Sequence, residues 1–243
     1  MIKIFTDFDG TITLQDVGDA MFERFGGEQC KDIIQAYRDE KLSAVDCFRR
    51  ECEACINVDV AELNSFLDGQ EIDVAFIDFI RYCRARQFEC YILSDGMDYY
   101  IQRILDRHLI GDVPFYANIL HLLPVAGTSF VKFEPQFPYA DEVCDRCACC
   151  KRNHLLALSG DDDVIVYVGE GYSDRCPAKF ADVIFAKDEL LKYCREENIS
   201  YYEYRTFADI LQRLEVLQRN GARNGSTTGL RKRRQAERLR RDI

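Results

Sequence analysis

A chain of 243 residues with 47% hydrophobic content can bury a sizeable core, as one domain or one domain with an insertion. No apolar run reaches the roughly 20 residues of a membrane span, and a strand expected from residue 2 leaves no room for a signal peptide; a cytoplasmic protein is expected, its twelve cysteines reduced rather than paired in a disulfide framework. The net charge of −10 is the sum of +7 over residues 219–243, where nine Lys or Arg meet Glu237 and Asp242, and −17 over the rest; the body therefore has no basic face for nucleic acid, and an anionic ligand must be drawn by local charges.

Residues 2–8 alternate apolar and β-favouring side chains, which predicts a buried first strand. It ends on Asp7 and Asp9, followed at once by Gly10 and Thr11. If the strand stays extended that far, both acids leave on the same side. The carboxyl end of a parallel strand is where open α/β sheets bind ligands. Two carboxylates there need a cation between them or a shared proton. Mg²⁺ suits an all-oxygen site that must also hold a phosphate.

Apolar positions at three- and four-residue spacing predict short helices over residues 16–25, 30–39, 44–55 and 60–67, with Asp59 as an N-cap and Gly26, Gly27 and Gly69 as breaks. A further helix is expected over 73–86 and a strand over 88–93. About 80 residues separate Asp9 from Ser94, far more than the dozen or so that a βαβ crossover needs. The excess implies a small helical cap, residues 14–71, able to close over the strand ends and exclude water.

The second strand ends in Ser94-Asp95-Gly96 and leads into an amphipathic helix over 97–110. The Ser94 hydroxyl and the N–H groups of that turn can bind phosphate oxygens, or Ser94 can serve as an ordinary helix cap. Residues 115–123 and 128–133, with Pro124 and Gly127 between them, predict a hairpin; His108 and His121 have no evident pairing. Next come Cys144, Cys147, Cys149 and Cys150, directly before Lys151 and a helix over 152–158. The cysteines fit a zinc site, which His154 could join, or a reduced structural loop. Lys151, at a helix start between strands, can reach into an acidic cleft. The apolar run 163–168 predicts a central strand ending in Gly169-Glu170-Gly171-Tyr172-Ser173-Asp174. A strand over 183–186 and helices over 188–197 and 206–217 complete the body. The tail from residue 219 reads as solvated chain, with nuclear targeting or contact with RNA or acidic membrane as the alternative.

Asp7-Phe8-Asp9-Gly10-Thr11 resembles the first motif of the haloacid dehalogenase superfamily of phosphatases, and Ser94, Lys151 and the stretch from Gly169 to Asp174 resemble its second, third and fourth motifs in the same order. The resemblance covers about residues 1–215. It implies a Rossmann-like α/β fold, a parallel sheet flanked by helices, with core residues 1–13 and 72–218, the cap over 14–71 and the tail over 219–243. It implies that Asp7 is the nucleophile and Asp9 the general acid and base, that Ser94 grips the phosphoryl group, and that Lys151 neutralises it. Mg²⁺ would be held by Asp7, the Asp9 main-chain carbonyl and Glu170, with Asp174 as the second acid of the metal motif, which usually orients water or the lysine. Asp16, Asp95 and Gly96 would face the substrate. The usual form of the fourth motif is GDxxxD, so Glu170 is a departure that bears on metal position and affinity.

The cap resembles that of phosphoserine phosphatase. The cysteine run before Lys151 is similar to the methionine-salvage phosphatase acting on 2-hydroxy-3-keto-5-methylthiopentenyl-1-phosphate and to the phosphoethanolamine/phosphocholine phosphatases; Ser94 to Asp98 followed by two aromatics looks closest to the methionine-salvage type. The activity this implies is Mg²⁺-dependent hydrolysis of a small phosphorylated metabolite through an aspartyl-phosphate, by a monomer or homodimer. Phosphoserine and phosphocholine or phosphoethanolamine are the alternative substrates. A catalytically weak phosphate-binding regulatory module, favoured by Glu170, and a nucleic-acid-binding protein acting through the tail are the rivals from other classes.

Overall fold

A computed structural model describes residues 1–219 and 234–235. The expected solvated tail therefore lies outside the described residues, apart from Arg219, Arg234 and Gln235. In chain order the first elements are β1 (Ile2–Thr6), α1 (Val17–Gly26), α2 (Gln29–Arg38), α3 (Ala44–Ala54), β2 (Val58–Asp59), α4 (Val60–Asp68), α5 (Ala75–Ala85), β3 (Glu89–Met97) and α6 (Asp98–Arg107). They are followed by β4 (Phe115–Pro124), β5 (Phe130–Gln136), α7 (Lys151–Ala157), β6 (Val164–Gly169), α8 (Arg175–Ala178), β7 (Val183–Ala186), α9 (Asp188–Glu196), β8 (Tyr202–Glu203) and α10 (Phe207–Arg219). This is a mixed α/β fold. Among the described residues no helix is long and apolar enough to cross a membrane.

The chain divides into two compact units, one of Met1–Ile12, Ile72–Leu93 and Lys151–Ile243, the other of Thr13–Glu71 and Ser94–Cys150. In the first, β1 is central: it runs parallel to β3 over Glu89–Ile92 and to β6, and β7 and β8 extend the same parallel sheet. Strands covered on both faces need near-continuous apolar sequence, and Ile4, Phe5 and Ile165 to Val168 are all buried. Helix α10 packs on α5 through Phe207, whose ring centroid lies 4.7 Å from that of Phe76 and 5.1 Å from that of Phe79.

In the second unit, short polar side chains set the helix starts. Asp16 accepts from Asp19 N at 2.8 Å to begin α1, Ser43 accepts from Asp46 N at 3.0 Å to begin α3, and Asp59 accepts from the N–H groups of Ala61 and Glu62 to begin α4. The hairpin of β4 and β5 pairs antiparallel from Ile119↔Gln136 to Pro124↔Val131, and β2 pairs with β5. Residues 94–150, which the sequence reading assigned to the core, thus make their contacts with residues 13–71. The cause lies in the packing: Phe48 of α3 meets Phe137 just beyond β5 at 6.4 Å, and Arg103 of α6 forms a forked pair with Asp68 at the end of α4, both bonds 2.7 Å. Strand β3 also continues through Ser94, Asp95 and Gly96 to Met97 instead of ending at Leu93.

Candidate active site

At the end of β1 the Asp7 N–H donates to Val168 O of β6 at 2.9 Å, which fixes the backbone where the strand stops. Residues 9–12 then form a turn, with Ile12 N donating to Phe8 O at 2.8 Å. The extended geometry that would put Asp7 and Asp9 on one side therefore ends before Asp9, which is half-buried on the turn. Gly10 adopts a φ of +64°, a left-handed value natural to glycine.

Three buried side chains meet here. Lys151, the first residue of α7, donates from Nζ to Asp7 Oδ1 at 2.6 Å and to Asp174 Oδ1 at 2.7 Å. All three are buried. Burial raises the Asp7 carboxyl to about 7, and the Asp174 charge adds to the rise while Lys151 opposes it. Burial alone would pull the Lys151 ammonium down; Asp174 and Asp7 outweigh it and hold its pKa well above the ordinary lysine value.

Asp174 holds four donors. Oδ1 accepts from Lys151 and from the Tyr167 hydroxyl at 2.6 Å; Oδ2 accepts from the N–H groups of Glu170 and Gly171, each at 2.9 Å. A carboxylate offers about four lone-pair directions, so these protein donors account for them. Asp174 thus clamps Lys151 and the Glu170 loop together, rather than presenting an open oxygen to a metal. The close approach needs a glycine before Glu170, because a Cβ on Gly169 would lie 2.5 Å from Asp174 Oδ2. The Glu170 carboxylate lies over the β1 turn: a Cβ on Gly10 would come within 3.3 Å of its Cδ and Oε1. Tyr204 is buried beside this group, its hydroxyl 3.4 Å from Gly169 O and bonded to Thr11. Sequence reasoning passed over Tyr167 and Tyr204; the available signal was a lone phenol within the aliphatic run Val164 to Val168.

These oxygens suit Mg²⁺, which takes one or two carboxylates and fills its shell with waters and phosphate. Asp7 and Glu170 are the carboxylates that could hold it, with the Asp9 main-chain carbonyl two residues after Asp7. Among the described residues no three His, Cys, Asp or Glu side chains form a ready-made metal cage. Two carboxylates and a carbonyl need none, whereas a zinc site at Cys144, Cys147, Cys149 and Cys150 would. No disulfide joins any of the twelve cysteines.

The second unit holds the other expected site residues. Ser94 is buried, and its Oγ accepts from Gly96 N at 2.9 Å. Asp95 Oδ1 accepts from the N–H groups of Ala148 and Cys149, both at 2.7 Å, so this acid tethers the cysteine run that leads into Lys151. The exposed Asp16 uses Oδ1 as the cap of α1. Glu51 of α3 is fully buried, its Oε1 has no hydrogen-bond partner, and Cys47 Sγ lies 3.9 Å from its Oε2. Burial pushes the Glu51 carboxyl up to about 9, with Asp19 and Asp16 adding to the rise.

Residues 4–179 match the family of haloacid dehalogenase-like hydrolases. The chain belongs to that family. It is an enzyme, a hydrolase of the phosphatase type. A curated relative from Bacillus mycoides, 29% identical over 218 residues spanning 89% of this chain and 97% of that protein, is a 2-hydroxy-3-keto-5-methylthiopentenyl-1-phosphate phosphatase. One from Bacillus cytotoxicus with the same name is 29% identical over 221 residues, covering 89% of this chain and 97% of its own. Among solved structures, a phosphoserine phosphatase carrying a phospho-aspartyl intermediate analogue superposes with a TM-score of 0.63 at 20% identity, covering 87% of this chain and 97% of that one. At that identity the likeness shows the fold.

In this haloacid dehalogenase-like hydrolase the Glu51 carboxyl stands above its unfolded value, so its contribution to stability is complete below about pH 4.5 and is lost as pH rises towards 9. Glu51→Gln, which cannot ionise, should be more stable than the native chain by several kcal/mol at pH 9 and should lose that advantage near pH 5. Urea midpoints across this range check it; parallel pH profiles for the two proteins would contradict it.

Proposed function

We propose that the chain is a Mg²⁺-dependent phosphomonoesterase of the cytoplasm acting on a small metabolite through an aspartyl-phosphate. The observation that carries this reading is the buried Asp7 carboxylate, bridged by Lys151 Nζ at 2.6 Å to Asp174 at 2.7 Å. A nucleophilic carboxylate must be ionised and held in one orientation. Lys151 favours ionisation against burial, and the neighbouring turn and β6 fix the backbone.

In the first step an Asp7 oxygen attacks phosphorus, the bond from phosphorus to the leaving oxygen breaks, and the Asp9 carboxyl gives its proton to that oxygen. In the second, Asp9 takes a proton from water as the water oxygen attacks phosphorus. The acyl-phosphate bond breaks, inorganic phosphate leaves, and the Asp7 carboxylate returns. Ser94 and Lys151 donate to the phosphoryl oxygens, where negative charge accumulates. Asp7, Glu170 and the Asp9 carbonyl would hold Mg²⁺, which when bound would supply positive charge to offset the phosphoryl oxygens.

For the substrate, the named relatives make 2-hydroxy-3-keto-5-methylthiopentenyl-1-phosphate the first candidate; phosphoserine and phosphocholine or phosphoethanolamine are the alternatives. A panel of these esters, with p-nitrophenyl phosphate as the reference, separates them by kcat/KM. Asp7→Asn should abolish turnover, and Asp9→Asn should slow it by roughly 10²- to 10⁴-fold. Full activity in Asp7→Asn would sink the mechanism.

Glu170 is one methylene longer than the usual aspartate, and its carboxylate overlies Gly10, where no Cβ stands in its way. We read it as a working ligand. Glu170→Asp should keep turnover within about an order of magnitude, while Glu170→Ala should need far more Mg²⁺. A Mg²⁺ titration of the rate measures both. An unchanged midpoint in Glu170→Ala would mean that Glu170 does not bind the metal.

A further inference from the structure

Tyr167 sits in the middle of β6, in register with Phe5 of β1 on one side and Ile184 of β7 on the other, and is fully buried. Its neighbours along the strand are Val164, Ile165, Val166, Val168 and Gly169. A phenylalanine would fill the same place in the sheet without a polar atom. A buried hydroxyl is unfavourable unless it is hydrogen-bonded, and this one donates to Asp174 Oδ1 at 2.6 Å. That oxygen is also the one that accepts from Lys151.

We propose that Tyr167 is a positioning residue, acting through Asp174 on both Lys151 and the Glu170 loop. Two consequences of the geometry carry this. First, Tyr167 and Lys151 share one oxygen, while Lys151 divides itself between Asp174 at 2.7 Å and Asp7 at 2.6 Å. The phenol draws charge from Asp174 Oδ1 and so limits the pull of Asp174 on the ammonium. Without it, Asp174 is the stronger partner and Lys151 is drawn from Asp7 and from the phosphoryl oxygens it is to meet. Second, the bond to Oδ1 fixes the rotation of the carboxylate that turns Oδ2 toward the N–H groups of Glu170 and Gly171. Those two bonds set the backbone from which the long Glu170 side chain extends over Gly10.

This inference rests on the phosphatase reading, and the test separates the two. Tyr167→Phe removes one oxygen and keeps the ring. In the variant, kcat on p-nitrophenyl phosphate should fall about tenfold, the scale of one hydrogen bond to a charged acceptor, with KM within about threefold of the native value. Apart from turnover, thermal unfolding followed against added Mg²⁺ should show the stabilisation midpoint moved to roughly threefold or more higher concentration; a merely structural hydroxyl would lower the unfolding temperature at every Mg²⁺ concentration alike. A kcat within twofold of native, an unchanged Mg²⁺ midpoint, or a Phe variant that does not fold would each overturn the proposal. If the native chain turns over no phosphomonoester, the functional reading fails, and the Mg²⁺ midpoints still decide the role of Tyr167.

Discussion

The ammonium of Lys151 between Asp7 and Asp174 is the interaction on which the rest of the site depends. Two buried carboxylates near one amine carry a surplus negative charge, and removing three ions from water is costly. The arrangement is tolerable because Asp174 is saturated by donors and because Lys151, bonded to Asp7 at 2.6 Å, favours its ionised form against burial. A site left with excess negative charge and hard oxygen donors is suited to a cation and to the phosphate that the cation brings with it. The same surplus explains why an acidic body, at −17 outside the tail, can be read as receiving an anionic substrate: attraction is local.

Position follows from the sheet. Asp7 is placed by the β1–β6 pairing, Lys151 by the first turn of α7, and Asp174 by the loop that leaves β6. In the other unit, Asp95 holds the N–H groups of Ala148 and Cys149, which makes the cysteine run a tethered lead-in to Lys151. The cysteines themselves form no disulfide and, apart from Cys144, are buried in that run, in keeping with a packing role.

Much of this was legible in the sequence, for physical reasons. The parallel strands are buried on both faces, so β1 and β6 stand out as apolar runs ending in acids. Asp59, Gly27 and Gly69 mark helix ends because caps and glycines have local causes. What escaped depended on contacts between distant segments. The two-residue strands β2 and β8 exist only through their pairing partners. Tyr167 matters because its hydroxyl meets a loop seven residues later. The membership of residues 94–150 follows from a hairpin that pairs with β2, which local periodicity cannot reveal. The alternation argument for Asp9 failed because a turn begins where the strand was taken to continue.

The central claim is that Asp7 is the residue that becomes covalently phosphorylated. The direct measurement is to quench the enzyme during turnover of a phosphomonoester, reduce it with borohydride, and sequence the peptide containing residues 4–24 by mass spectrometry. Reduction of an aspartyl-phosphate leaves homoserine at position 7, found only when substrate and Mg²⁺ are both present. Turnover with an unmodified Asp7, or with the label at another residue, would contradict the account.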